Sequence, residues 1–101
     1  MAKYEMKFMF DFGSGCCIWS INKAAEDLYN YPVLAEQLPI SSELKSVLQY
    51  LIDKYDEALD WSCPQNGLLW SAEQIQAFKV DAIAAYERLC AELGVDYKVV
   101  L

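Results

Sequence analysis

The stretch Tyr4-Glu5-Met6-Lys7-Phe8-Met9-Phe10-Asp11-Phe12-Gly13-Ser14-Gly15-Cys16-Cys17-Ile18-Trp19-Ser20-Ile21 decides the fold. Tyr4, Met6, Phe8, Phe10 and Phe12 fall on one parity, while Glu5, Lys7 and Asp11 fall on the other. Successive strand side chains point to opposite faces, so this alternation predicts a strand with one buried face. Gly13-Ser14-Gly15 supplies turn residues that tolerate positive φ. Cys16 to Ile21 is apolar enough to return as a second strand, and an N-terminal β-hairpin results.

Outward from the hairpin the period changes. Asn22 is a good N-cap, and Lys23 to Tyr29 reads as a short helix. Pro32 and Pro39 push Tyr31 and Leu38 towards extended geometry, so Tyr31 to Ile40 reads as a connector with room for one helical turn. Ser41 or Ser42 then caps a helix in which Leu44, Val47, Leu48, Leu51, Ile52, Tyr55 and Leu59 recur at helical spacing. Trp61 to Trp70, with Pro64, Asn66 and Gly67, reads as a loop. Ser71 and Gln74 have the spacing of a capping box. The helix after them carries Ile75, Phe78, Ala82, Ile83, Tyr86, Leu89, Cys90 and Leu93 on one face, and Gly94 is placed to end it. Tyr97 to Leu101 is β-branched and aromatic enough for a closing strand.

The expected fold is therefore α+β, in the order β-β-α-α-α-β. A small sheet of about three strands, the hairpin plus the C-terminal strand, packs against two long helices and one short helix in a two-layer sandwich. Residues 1–101 are read as a single domain, since 101 residues suit one hydrophobic core and are too few for two. The composition supplies that core, at 55% hydrophobic and 14% aromatic.

Charge and residue chemistry narrow the function classes. Fifteen Asp and Glu against eight Lys and Arg leave a formal charge of −7. The cations stand singly along the chain, without the clusters that nucleic acid or an anionic membrane surface requires. A charged partner would be basic. No apolar run approaches a membrane span, and the N-terminus lacks the pattern of a signal peptide, so a cytoplasmic protein is expected. Cys16, Cys17, Cys63 and Cys90 are then thiols; their spacing matches no zinc pattern, and the chain contains no histidine. The commonest general base is missing with it, and an enzyme is not expected. Neither a cofactor nor a metal is implied.

One cluster stands out. Asp53, Asp56, Glu57 and Asp60 recur at i, i+3, i+4 and i+7, which predicts one shared helical face opposite the apolar stripe. Like charges at those spacings repel, and carboxylates near a helix C-terminus oppose its dipole. Trp61 follows directly and could anchor an interface, as could Trp70; either could equally close the end of the helix pair. Two readings of the cluster stay open: the solvated face of an acidic protein, and a partner-binding surface formed by Asp53, Asp56, Glu57, Asp60 and Trp61.

Phe10-Asp11-Phe12-Gly13, Leu38-Pro39-Ile40-Ser41 and Tyr55-Asp56-Glu57-Ala58-Leu59-Asp60-Trp61, with Pro64, Trp70 and Glu92-Leu93-Gly94-Val95-Asp96-Tyr97, carry a further signal. Through most of its length the chain resembles small bacterial immunity proteins of polymorphic toxins, including contact-dependent growth-inhibition systems. The resemblance implies a role and no catalytic residues. The chain would bind and neutralise the C-terminal toxin domain of a neighbouring exoprotein, expected to be a basic nuclease, in the cytosol of the producing cell. It would touch neither nucleic acid nor membrane itself. The alternative from another functional class is a small cytosolic regulatory or adaptor subunit that binds another protein.

Overall fold

The computed structural model describes residues 2–11, 13–58 and 69–101. The elements are β1 (Tyr4–Phe8), β2 (Ile18–Ser20), α1 (Lys23–Tyr29), β3 (Pro32–Val33), a 3-10 turn (Ala35–Gln37), α2 (Ser42–Glu57), α3 (Ala72–Leu93) and β4 (Tyr97–Val100). The architecture is α+β in the expected order, with one correction. The sheet has four strands, not three, arranged β3-β2-β1-β4.

The extra strand comes from the segment read as a connector. Ser20 holds it in place, its N–H donating to the Tyr31 carbonyl at 2.8 Å and its hydroxyl to the Asn30 carbonyl at 2.6 Å. Pro32 and Val33 then lie opposite Trp19 and Ile18. Proline has no N–H to give a further ladder, which suits it to an edge. The hairpin's return strand is shorter than expected. Cys16 and Cys17 precede β2, although Met9 N–H still donates to the Cys17 carbonyl at 2.9 Å.

β1 pairs antiparallel with β2 and parallel with β4, so the chain's two ends meet in adjacent strands. The parity seen in the sequence sets the faces. Met6, Phe8, Ile18, Val33 and Val99 are buried on the side where the helices pack. Lys7 and Lys98 point the other way and are exposed. Trp19 shares that outer side yet is buried, its indole N–H donating to the Met9 carbonyl at 2.8 Å.

The helix ends follow their local signals. Asn22 Oδ1 accepts from Ala25 N–H at 3.0 Å, and Ser41 Oγ accepts from Leu44 N–H at 3.1 Å. Both capping-box bonds form at α3, Gln74 N–H to Ser71 Oγ at 3.2 Å and Ser71 N–H to Gln74 Oε1 at 2.8 Å. Gly94 ends α3 with φ of 82°.

Leu44, Leu48, Leu51 and Ile52 of α2 are buried against Phe78, Ala85, Leu89 and Leu93 of α3 and the inner sheet face. Ile83, placed by the sequence on the core stripe, is 47% exposed. The buried positions of α3 advance in steps that keep to one face, and Ile83 lies one residue, or about 100° of helix, past Ala82. Tyr86 is half-buried and donates its hydroxyl to the Val99 carbonyl at 2.6 Å, tying α3 to β4. Arg88 spans the start of α2 and the end of α3, meeting Glu43 and Glu92 at 2.9 Å each. Glu92 in turn accepts the Ser41 N–H at 2.6 Å. No helix among the described residues is long and apolar enough to cross a membrane.

Candidate partner-binding surface

The last two turns of α2 carry Asp53, Asp56 and Glu57 into three different settings. Asp53 is exposed, and its Oδ1 accepts from Gln49 Nε2 one turn earlier at 2.9 Å. Glu57 is exposed at the helix end. Asp56 is half-buried, and its Oδ1 accepts the Gly13 N–H at 3.0 Å, a contact across 43 residues of chain. The cause is helical geometry: Asp56 follows the buried Ile52 by four residues and so shares its flank. The structure thus brings Asp53 and Glu57 together as an outward pair and ties Asp56 to the exposed hairpin turn. Asp60 and Trp61 lie outside the described residues. Trp70 packs on Phe78, with ring centroids 5.1 Å apart, and serves as a lid on the core.

The clamped turn is built for that approach. Gly13 and Gly15 have φ of 75° and 71°, conformations that a side chain resists. Ser14 Oγ donates to the Asp11 carbonyl at 3.0 Å and accepts from Cys16 N–H at 3.3 Å, closing the turn on itself. Asp11 is exposed beside α2. Burial raises the Tyr55 phenol above its ordinary value, and the Asp11 carboxylate raises it further. Asp11 thus adds a carboxylate near the Tyr55 flank of α2, which helical geometry sets apart from Asp53 and Glu57. Its place on the strand's polar parity was visible in the sequence, but its proximity to α2 was not.

A cleft of about 280 Å³ of mixed lining reaches α2 at Gln49, with Cys17, Val33, Leu34 and Ile52 on its apolar side and Glu36 and Lys45 on its polar side. Cys16, Cys17 and Cys90 are free thiols, and Cys63 lies outside the described residues. Burial pushes the Cys17 thiol up to about 12, with Cys16 adding to the shift. Burial raises Cys16 as well. A protonated thiol is a poor nucleophile, and burial holds Cys17 in that form at neutral pH. Among the described residues no three His, Cys, Asp or Glu side chains gather closely enough to hold a metal ion.

The thiols can be checked by alkylation. At pH 8 iodoacetamide should modify Cys17 far more slowly in the native protein than in guanidinium, and equal rates would refute its protonated, buried state. The sign for stability follows from linkage. A thiol raised in the folded state stays protonated while the unfolded one ionises. Stability is intact below the ordinary value near 9.0 and falls as pH climbs towards about 12. Cys17→Ala should flatten part of that alkaline loss, measured by chemical denaturation across the same range.

The model of the Serratia CdiI immunity protein-like family matches residues 4–101, from the first residue of β1 to the end of the chain. The chain belongs to that family. No curated protein matches the sequence. The match spans every element of the fold.

Proposed function

We propose that this immunity protein neutralises its cognate toxin domain in the cytosol by direct binding, as a non-enzymatic inhibitor. Its acidic face meets a basic surface on that domain. The observation that carries the reading is the exposure of Asp53 and Glu57, one turn apart on α2, in a chain of formal charge −7. Asp60 and Trp61, next in sequence, belong to the proposed contact. A nuclease domain gathers cations to hold phosphates, and an acidic inhibitor can occupy that same ground. Complementary charge also accelerates encounter, which matters against a lethal enzyme.

The direct test is co-expression with the C-terminal domain of the large exoprotein encoded by the neighbouring gene. Growth should be restored, and the two chains should co-purify as a complex. Continued arrest while this chain accumulates folded would sink the reading. Degradation of nucleic acid by the isolated toxin domain, abolished by the purified chain, is the expected readout for a nuclease.

A further inference from the structure

β4 closes one edge of the sheet, and among the described residues no strand pairs with its outer side. Tyr4 lies in register with Tyr97, and its N–H donates to the Asp96 carbonyl at 2.9 Å. A strand directs the backbone groups of alternate residues to opposite sides, so residues 96, 98 and 100 face β1. The backbone groups of Tyr97 and Val99 point away from the sheet. A row of such groups is a template for another strand, and Tyr97-Lys98-Val99-Val100 is aromatic and β-branched enough to be used as one. The opposite edge is poorer, since β3 is two residues long and opens with Pro32.

On β4 these outward groups are occupied from within the chain. Tyr97 N–H donates to the Gly94 carbonyl at 3.3 Å, and the Val99 carbonyl accepts the Tyr86 hydroxyl at 2.6 Å. Val99 is 6% exposed as a result of its packing. We propose that Tyr86 guards this edge, keeping β4 from pairing antiparallel with β4 of a second copy and so holding the chain as a monomer. Two-fold pairing of the outward groups allows few registers. One centred on Tyr97 needs the N–H that Gly94 holds. One centred on Lys98 sets two ammonium groups directly opposite each other, and like charges there repel. One centred on Val99 pairs each Val99 N–H with the other copy's Val99 carbonyl and sets Lys98 opposite Val100. No like charge opposes that third register, so the Tyr86 hydroxyl is what closes it.

Sedimentation velocity across a wide concentration range tests the guard, because a dimer reveals itself by mass action. The wild-type chain should stay monomeric. The Tyr86 ring lies 5.8 Å from Phe8, and Tyr86→Phe keeps that packing while removing the hydroxyl. This variant should dimerise at least roughly 10-fold more tightly than the limit set by wild type, the worth of a freed carbonyl regaining a partner. Adding Val100→Lys sets a cation opposite Lys98 in the Val99 register and should restore the monomer. If Tyr86→Phe fails to fold, Tyr86→Leu, which also lacks the hydroxyl, takes its place. A folded Tyr86 variant that remains monomeric overturns the proposal. So does a wild-type chain that already dimerises, or a variant dimer that survives Val100→Lys.

Discussion

Truncating Phe78 to Ala is expected to destabilise the protein by about 3–5 kcal/mol, the range for removing a buried aromatic. Phe78 is 6% exposed, and its ring meets three others: Phe10 at 5.1 Å, Tyr55 at 5.5 Å and Trp70 at 5.1 Å. Those partners come from the chain after β1, from α2 and from the residue pair before α3. Removing the ring would leave a cavity where three elements meet, and rigid aromatic neighbours collapse into it poorly. For a protein of this size the unfolding midpoint should fall by roughly 12 °C or more. Val80→Ala, two residues on at a 56% exposed position, should stay within about 0.5 kcal/mol of wild type. Denaturant titration of both variants provides the check. A cost under ~1 kcal/mol for Phe78→Ala would show that its ring does not bind the layers together.

The second large effect is kinetic. In a variant combining Asp11→Asn, Asp53→Asn and Glu57→Gln, association with the toxin domain should slow by roughly 10-fold or more at low ionic strength. The difference should fade with added salt, because the Debye length shrinks from about 30 Å at 0.01 M to about 3 Å at 1 M. Folding stability should hold or rise by a few tenths of a kcal/mol, since repulsion between neighbouring carboxylates and an adverse helix-dipole contact are relieved. Asp56 is kept out of this variant for a structural reason. Its carboxylate is already engaged by the Gly13 N–H at the surface, and Asp56→Asn alone should cost up to about 1 kcal/mol by weakening a charge-assisted bond. The two variants thus separate a steering charge from a clamping one. Equal association rates for the triple variant and the wild type at 0.01 M salt would make the outward carboxylates ordinary surface.

What the sequence determined by itself was local. Strand parity in Tyr4–Phe8 and the caps at Asn22, Ser41 and Ser71 depend on residues within a few positions of each other, so they could be read without knowing the fold. The α+β class followed from the order of those periods. The acidic spacing in α2 was equally plain. Tertiary structure decided everything that depends on what lies opposite. β3 exists because Ser20 captures Asn30 and Tyr31 and brings Pro32 alongside Trp19, which no two-residue pattern could announce. The parallel pairing of Tyr4 with Tyr97 joins the two ends of the chain. Ile83 looked like core and stands at a groove, because a helical face is an arc and the sheet covers only part of it. The acidic cluster divided for the same reason. Asp53 and Glu57 face water, while the hairpin turn brings the Gly13 N–H within hydrogen-bond reach of Asp56 across 43 residues of chain.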